Sequence, residues 1–245
     1  MELVLITGLA GAGKSTLTGS LVRWFEGEGV DARAVNLDPG AESLPYDPAY
    51  DVRTMVRVRD LMERGGLGPN GAMIAAVSTM AERGDEIASS LPECEVCVVD
   101  TPGQTELFAL RREGADIVRA LSERGEIAGV FMAEASEPGV LDFVTVGLIG
   151  RLVELRLGIP IVPVLNKVDL GWRESGRLWE RVVTGGEVEV GEGGAVSELL
   201  EDLVEAIRSF STPVRVVQTS ALRGEGIDDL VSTLREVWCA CGDLT

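Results

Sequence analysis

The chain alternates short, continuous apolar runs with amphipathic stretches. The apolar runs predict strands at residues 2–7, 32–37, 95–100, 129–133, 161–165 and 214–218. An amphipathic helix is predicted after the first strand, where one face carries Leu17, Leu21, Val22 and Phe25. Further helices are predicted at residues 58–64, 72–91, 106–121, 140–157, 197–210 and 227–238. Because apolar strands between helices are buried on both faces, we expect an α/β fold with a doubly wound, mostly parallel sheet flanked by helices.

Three connecting segments complete this pattern. The Gly-rich residues 65–71 turn two helices into a hairpin, and the Pro-rich residues 43–48 indicate a surface loop. Residues at about 185–195 are rich in Gly and Glu and predict a flexible acidic loop. No internal repeat or interdomain linker is evident. We therefore expect one domain over residues 1–245, with a helical-hairpin insertion at about residues 57–91.

The charge balance restricts the classes of partner. The chain has 40 acidic and 22 basic residues, and its net charge of −18 disfavours direct nucleic-acid binding and a polybasic membrane anchor. We find neither a basic leader nor 18 uninterrupted apolar residues, so we expect a cytoplasmic protein. The absence of His excludes a Ser-His-Asp hydrolase and leaves carboxylates, amides, lysine or a hard cation for chemistry.

The four cysteines are too few for a disulfide framework in a chain of 245 residues. Cys94 and Cys97 lie in the apolar run that leads into Asp100. Residues three apart on a strand point to opposite faces, so we interpret both as buried core thiols. Cys239 and Cys241 have no partner motif, and a metal or redox role is the less favoured alternative.

Scarce residue types draw attention to a few positions. The 22 basic residues are 20 Arg and only two Lys, Lys14 and Lys167, and a compact ammonium fits inside a tight phosphate loop where a guanidinium does not. Amides are equally rare and occur at Asn36, Asn70, Asn166, Gln104 and Gln218. A G+C-rich genome or a hot habitat explains this background equally well. We infer that these positions carry chemistry that other residues do not provide.

Residues 8–16 read GLAGAGKST and match the phosphate-loop pattern G-x-x-x-x-G-K-[ST], between a predicted strand and a predicted helix. Its glycines let backbone N–H groups turn toward phosphates, Lys14 reaches the β- and γ-phosphates, and the Ser15 hydroxyl binds Mg²⁺. The nucleotide-binding positions are then Gly11, Ala12, Gly13, Lys14, Ser15 and Thr16. A Gly-rich turn that merely joins strand to helix is the alternative.

A second motif, Asn166 to Asp169, follows a buried strand at the sheet edge where α/β folds bind ligands. The Asp169 carboxylate can accept hydrogen bonds from N1–H and N2–H₂ of guanine, which favours GTP over ATP. Asn166 would brace the loop, and the Lys167 stem would lie along the base. Backbone N–H groups at Ser220 and Ala221 would meet the guanine O6. An ordinary turn with Asp as a helix cap is the alternative.

The third motif, DTPGQ, begins at Asp100 at the end of another strand. Asp100 can hold Mg²⁺ through its water shell, and the Gly103 N–H can meet the γ-phosphate. Gln104 can orient the attacking water, because an amide accepts from water and donates to phosphate. The alternative is a helix start with Gln104 facing solvent.

Taken together, the motifs resemble those of the GPN-loop GTPases of archaea and eukaryotes. The family-specific pieces are NLDPG at residues 36–40, YDP at 46–48, DVR at 51–53, GPN at 68–70 and DTPGQTE at 100–106. The resemblance extends over residues 8–221. It implies a P-loop GTPase domain that hydrolyses GTP to GDP and phosphate with Mg²⁺.

The resemblance also implies a homodimer in which the loop at residues 68–70 of one subunit enters the nucleotide site of the other. Asn70 would approach the γ-phosphate in the place of an arginine finger, but without its charge. A hairpin turn with Asn70 as a helix cap is compatible with this role. Asp38 would act beside Gln104 and near Mg²⁺, as a base, a metal ligand or a residue that positions water.

Two functions follow, and they belong to different classes. By resemblance, the protein is a nucleotide switch or assembly factor for protein complexes, with RNA polymerase as the client that the family implies. The alternative is a metabolic kinase or phosphotransferase that uses the same phosphate loop on a small molecule. Asp169 and Gln104 favour the first.

Overall fold

The computed structural model describes residues 1–135, 140–170, 173–184, 195–209 and 215–242. These residues form a seven-stranded sheet with the order β3-β2-β4-β1-β5-β6-β7, in which every neighbouring pair is parallel. The strands are β1 (Glu2–Gly8), β2 (Ala32–Asn36), β3 (Tyr50–Asp51), β4 (Val96–Asp100), β5 (Glu126–Glu134), β6 (Ile161–Asn166) and β7 (Val217–Thr219). The predicted parallel α/β fold is confirmed.

Helices cover both faces of the sheet. They are α1 (Lys14–Gly27), α2 (Val58–Gly65), α3 (Pro69–Glu82), α4 (Gly84–Ser89), α5 (Arg112–Ser122), α6 (Val140–Leu157), α7 (Arg173–Thr184), α8 (Ala195–Ser209) and α9 (Ile227–Gly242). Single 3₁₀ turns occur at Val52–Thr54, Thr105–Leu107 and Val168–Leu170. Among the described residues, no helix is both long and apolar enough to cross a membrane.

The side chains of β1 alternate between two cores. Leu3 and Leu5 belong to the cluster that contains the buried residues of α3 and α5, whereas Val4 and Ile6 pack with α1 and α9. All four are fully buried, as the continuous apolar run predicts. The central strand is thereby fixed from both faces, which makes its carboxyl end a rigid base for a loop.

The structure differs from the predicted elements at several boundaries. The helix predicted at residues 72–91 is two helices, α3 and α4, and α3 already begins at Pro69, so Asn70 lies in its first turn. The helix predicted at residues 106–121 begins only at Arg112, because Thr105–Leu107 forms a 3₁₀ turn. The helix α7 and the two-residue strand β3 were not predicted. The last strand runs over Val217–Thr219, and residues 185–194 lie outside the described residues.

The prediction for the two central cysteines is only half right. Cys97 is buried in β4, but Cys94 precedes the strand and is half-buried, with its Sγ 3.8 Å from Sδ of Met1. The nearby Cys97 thiol lowers the pKa of Cys94. The strand periodicity does not apply because residues 94 and 95 are not strand. Cys239 is exposed.

Candidate functional site

The candidate site lies along the carboxyl ends of the parallel strands. Four of the strands there, β1, β2, β4 and β6, lead into loops that carry predicted motifs, and β1 stands at the centre of the sheet. In doubly wound folds this edge is where ligands bind, since the connections diverge to opposite faces. The topology therefore brings the motifs after β1, β2, β4 and β6 to one edge.

The loop between β1 and α1 has the conformation that its glycines predict. Gly11 and Gly13 have φ values of 79° and 94°, a region that favours glycine. A Cβ at Gly13 would lie 2.6 Å from Nδ2 of Asn166, so a side chain there would collide with the loop after β6. The Ala12 N–H already donates to Leu9 O at 3.2 Å. The first turn of α1 begins at Lys14 and carries Ser15 and Thr16 beside the loop.

Lys14 connects two of the loops. Its buried ammonium donates to the carbonyl oxygens of Gly8 at 2.8 Å, Leu9 at 2.9 Å and Gly103 at 3.1 Å. Burial lowers the pKa of Lys14, and the nearby Asp100 and Asp38 carboxylates oppose that effect. Lys14 thus contributes one positive charge that two carboxylates share.

Asp100 is the most deeply buried carboxylate of the site, at 1% exposure. Its Oδ2 accepts a hydrogen bond from the Tyr46 hydroxyl at 2.8 Å, whereas its buried Oδ1 has no hydrogen-bond partner among the described residues. Burial raises the pKa of Asp100 to about 6, and Ser15, Tyr46 and Lys14 limit the rise. Ser15 is close enough to affect this pKa but forms no well-aligned hydrogen bond to Oδ1.

The unpartnered Oδ1 of Asp100 and the nearby Ser15 hydroxyl are oxygen ligands of the kind that Mg²⁺ prefers. Within the described part of the chain, no group of three His, Cys, Asp or Glu side chains is arranged to hold a metal. Mg²⁺ bound with a nucleotide needs only one or two protein ligands, because phosphates and water complete its shell. The donor set therefore fits Mg²⁺ held together with a nucleotide.

Asp38 is held in place by Asn36, a residue to which the sequence analysis assigned no function. The fully buried Asn36 side chain accepts from the Asp38 N–H at 3.0 Å and donates to the Asp38 carbonyl at 3.2 Å and to Asp51 Oδ1 at 2.9 Å. Burial raises the pKa of Asp38, and N–H groups of Gly40 and Gly103 oppose this. The rarity of Asn in this chain was the available signal for Asn36.

An ion pair behind Asn36 completes the support of this loop. Arg53 Nη2 lies 2.6 Å from Asp51 Oδ2, and its Nη1 donates to the carbonyl of Ala41 at 2.9 Å. Residues 38 and 41 are therefore tied to β3 from two sides. The DVR motif at residues 51–53 was noted in the sequence, but its contacts join segments far apart in the chain and no local pattern reveals them.

The structure brings Gln104 and Asn70 together within one chain. Gln104 Nε2 donates to Asn70 Oδ1 at 3.3 Å, and both side chains are at the solvent-facing edge of the site. Gly103, just before Gln104, accepts a hydrogen bond from Lys14 through its carbonyl, and its N–H helps to lower the pKa of Asp38. Two residues predicted at the γ-phosphate thus adjoin each other without a partner subunit.

At the opposite end of the site, a cavity of about 210 Å³ opens next to the phosphate loop. It is lined by Gly13, Thr16, Asn166, Lys167, Asp169, Leu170, Ala221 and Leu222. Leu170 and Leu222 are 60% and 81% exposed, so they offer apolar walls to a ligand. Neither leucine was predicted from the sequence, since single exposed leucines belong to no motif.

Asn166 forms three side-chain hydrogen bonds beside this cavity. Its Nδ2 donates to the Ala12 carbonyl at 2.8 Å, and its Oδ1 accepts from the Thr219 hydroxyl at 3.0 Å and the Ala221 N–H at 2.9 Å. The prediction that Ser220 and Ala221 offer free N–H groups to a base does not match this geometry. The Ser220 N–H donates to the Glu225 carbonyl at 3.0 Å, and that of Ala221 is engaged by Asn166.

Asp169 faces the same cavity with a polarised carboxylate. The Ser220 hydroxyl donates to its Oδ1 at 2.7 Å and lowers the pKa of Asp169, and Arg223 Nε lies 3.8 Å from its Oδ2. Asp169 is thus an ionised acceptor at neutral pH.

Among the described residues, Lys167 is the only non-glycine with a positive φ, at 68°. Its ammonium lies 2.9 Å from Glu134 Oε2.

Comparison with known proteins gives a consistent result. A family model described as "Conserved hypothetical ATP binding protein" matches residues 6–240. The GPN-loop GTPase PAB0955 of Pyrococcus abyssi is 32% identical over 255 residues, which cover 99% of this chain and all of that protein. GPN-loop GTPase 1 of Schizosaccharomyces pombe is 24% identical over 95% of this chain and 67% of its own length. The crystal structure of PAB0955 in its apo form matches with a TM-score of 0.85 and 30% identity, over 98% of both chains.

Proposed function

This chain belongs to the GPN-loop GTPase family and is a GTP hydrolase, and we propose that it is a Mg²⁺-dependent, homodimeric nucleotide switch. The observation that carries the proposal is that Asn166 donates a hydrogen bond to Ala12 in the phosphate loop and lines one cavity together with Asp169. One side chain thereby couples a base pocket to a phosphate pocket. A single guanosine triphosphate bound across both explains this connection.

Guanine recognition follows from the charge of Asp169. Its lowered pKa keeps the carboxylate ionised, and a carboxylate accepts hydrogen bonds but donates none. Guanine presents two adjacent donors, N1–H and N2–H₂, whereas adenine presents an acceptor at N1. The family model that matches this chain is described as ATP-binding, but the Asp169 carboxylate favours guanine.

We propose that Mg²⁺ is held by Ser15 and Asp100, with Asp38 beside it, and that Lys14 turns from the carbonyls of Gly8 and Leu9 to the phosphates. The bound cation would neutralise charge on the phosphate oxygens. The movement of Lys14 would affect the loop after β4 through Gly103, because the Gly103 carbonyl accepts a hydrogen bond from the Lys14 ammonium. Loss of the γ-phosphate would then alter that loop, as a nucleotide switch requires.

Gln104 and Asp38 are the residues that we assign to the attacking water. The amide of Gln104 can accept from water and donate to phosphate, and Asp38 stands close to Lys14 and Gly103. Phosphoryl transfer through a loose transition state depends more on positioning than on deprotonation. We therefore assign Asp38 a positioning role.

Asn70 is proposed to act across a dimer, as the family resemblance implies. In the isolated chain it already accepts from Gln104 of the same chain, so a partner's loop would have to replace that contact. The client is proposed to be a protein complex such as RNA polymerase. No observation on this chain favours the kinase alternative, and the relatives are named as GTPases.

The hydrolysis itself is tested by phosphate release from GTP, with Mg²⁺ and with a chelator in its place. We expect turnover with GTP alone and loss of turnover in the chelator. Turnover that persists in the chelator contradicts the Mg²⁺ assignment. A strict need for a small-molecule acceptor contradicts the switch.

The trans contact is tested by mixing two variants, Asn70→Ala and Lys14→Ala. In a mixed dimer, the chain that lacks Asn70 keeps Lys14 and receives Asn70 from its partner. We expect mixing to restore phosphate release above the sum of the separate variants, with light scattering as the control for dimerisation. If dimers form and mixing restores nothing, Asn70 acts within its own chain.

A further inference from the structure

Tyr46 occupies a place in the site to which the proposed function gives no role. It lies between β2 and β3, in the segment that the sequence predicts as a surface loop, yet its side chain is half-buried. Its hydroxyl donates to Oδ2 of Asp100 at 2.8 Å. A loop residue thus contacts directly the carboxylate that we assign to Mg²⁺.

This contact makes the two oxygens of Asp100 unequal. Oδ2 is engaged by Tyr46, whereas Oδ1 is buried without a hydrogen-bond partner among the described residues. A terminal carboxylate torsion is broad and otherwise permits either oxygen to face a ligand. The phenol therefore selects the oxygen that remains available.

Packing of the loop holds Tyr46 in this position. A Cβ added to Gly19 of α1 would lie 3.5 Å from Cβ of Tyr46 and 3.4 Å from the Pro45 carbonyl, so the loop packs at van der Waals distance from the helix. At the end of the loop, the Ala49 N–H donates to the Ala34 carbonyl of β2 at 2.8 Å. The loop is fixed on both sides of the tyrosine.

We infer that Tyr46 is a positioning residue for the Mg²⁺ carboxylate: it holds Oδ2 of Asp100 so that Oδ1 is presented to the cation. The inference rests on the proposed Mg²⁺-dependent function. Hydrogen-bond partners of metal-binding side chains fix their orientation, and removal of such a partner commonly lowers metal affinity 10- to 100-fold. Tyr46 also links the loop between β2 and β3 to the metal-binding end of the site.

The chain supplies its own control, because it has only two tyrosines. Tyr50 also has a buried hydroxyl, but that hydroxyl has no hydrogen-bond partner among the described residues. Mg²⁺ is titrated calorimetrically into the complexes of wild type, Tyr46→Phe and Tyr50→Phe with GDP. We expect Tyr46→Phe to weaken Mg²⁺ binding about 10-fold and Tyr50→Phe to leave it unchanged. GDP affinity in excess chelator should be the same in all three, which checks that the site is folded.

A double-variant cycle separates positioning from a general effect on the fold. In the Asp100→Asn background, Tyr46→Phe should cause no further loss of Mg²⁺ affinity, because the carboxylate that it orients is gone. Unchanged or tighter Mg²⁺ binding by Tyr46→Phe in the wild-type background overturns the inference. If the wild-type complex with GDP binds no Mg²⁺, the proposed Mg²⁺-dependent function is contradicted. That result differs from one in which wild type binds Mg²⁺ and Tyr46→Phe binds it equally well, which contradicts only the inference on Tyr46.

Discussion

The two ends of the site differ in how their polar groups are satisfied. The base end is the cavity beside Asn166 and Asp169, and the phosphate end lies around Asp38 and Asp100. At the base end, the polar atoms of Asn166 are satisfied by three hydrogen bonds within the protein, and Asp169 has a lowered pKa. At the phosphate end, Asp38 and Asp100 have raised pKa values, and one oxygen of Asp100 has no partner within the described structure. The base end is preorganised, whereas the phosphate end keeps desolvated charge that a ligand can stabilise.

This contrast indicates that the base end adds to the stability of the fold and that the phosphate end responds to the ligand. A fully satisfied buried network adds to stability and selects its ligand by shape and charge. A buried carboxylate with an unmade hydrogen bond lowers stability until a partner arrives. The phosphate end is therefore the part whose conformation should respond to the nucleotide.

The largest expected effect is on the choice of base. Asp169→Asn replaces an acceptor by a donor at the guanine edge, so GTP should lose and XTP should gain hydrogen bonds. We expect the ratio of GTP to XTP affinity to fall by about 10,000-fold, as for sites that lose a matched hydrogen-bonding partner. Competition binding with fluorescent GDP measures this ratio. Unchanged GTP affinity would contradict the assignment of the base pocket.

The next effect concerns the stability of the base end. Asn166→Ala removes three hydrogen bonds and leaves buried groups at Ala12, Thr219 and Ala221 unsatisfied. We expect the free energy of unfolding to fall by about 4 kcal/mol, from about 1 kcal/mol per bond plus the unsatisfied groups. Urea unfolding without nucleotide measures it, with Asn70→Ala as a surface control. A loss below about 1 kcal/mol would show that this end is not preorganised.

The free energy of unfolding should depend on pH through the phosphate end of the site. Because the pKa of Asp100 is raised from 3.8 to about 6 on folding, the folded state binds its proton more tightly than the unfolded state. Its contribution is therefore fully present below about pH 4 and is lost as the pH rises through about 6, by about 3 kcal/mol. Urea unfolding from pH 4 to 7 in a chelator tests this. Asp100→Asn, which does not titrate, should show a flatter profile, and identical profiles would contradict the account.

The smallest effect is expected for Asn70→Ala in turnover. Asn70 contacts Gln104 at the exposed rim and touches neither the base pocket nor Lys14 in the described structure. We expect GTP turnover to slow about 10-fold, as for removal of one neutral hydrogen bond in a transition state. Nucleotide affinity should stay within about twofold. A large loss of affinity would move Asn70 from the catalytic edge into the binding pocket.

Local sequence signals predicted the framework but not the cross-connections. The buried strands were evident because their residues, such as Leu3 to Ile6, form continuous apolar runs, and Gly11 and Gly13 marked a loop that needs positive φ. The strand β3 was missed because two residues, Tyr50 and Asp51, carry no periodicity.

Several contacts of the site were not predicted because they join segments that are distant in the sequence. Tyr46 with Asp100, Asn36 with Asp51 and Gln104 with Asn70 join segments 54, 15 and 34 residues apart. Their geometry arises only when the loops are placed on one sheet edge. The use of the Ala221 N–H by Asn166, which removes it from the base, is likewise a tertiary effect.

The central claim is that one guanosine triphosphate spans both ends of this site. Calorimetric titration of GTP and of ATP into the purified chain with Mg²⁺ tests it most directly. The account predicts one GTP per chain and binding of ATP at least about 1,000-fold weaker, because adenine lacks the donors that Asp169 requires. Equal affinity for the two nucleotides, or no GTP binding, would contradict it.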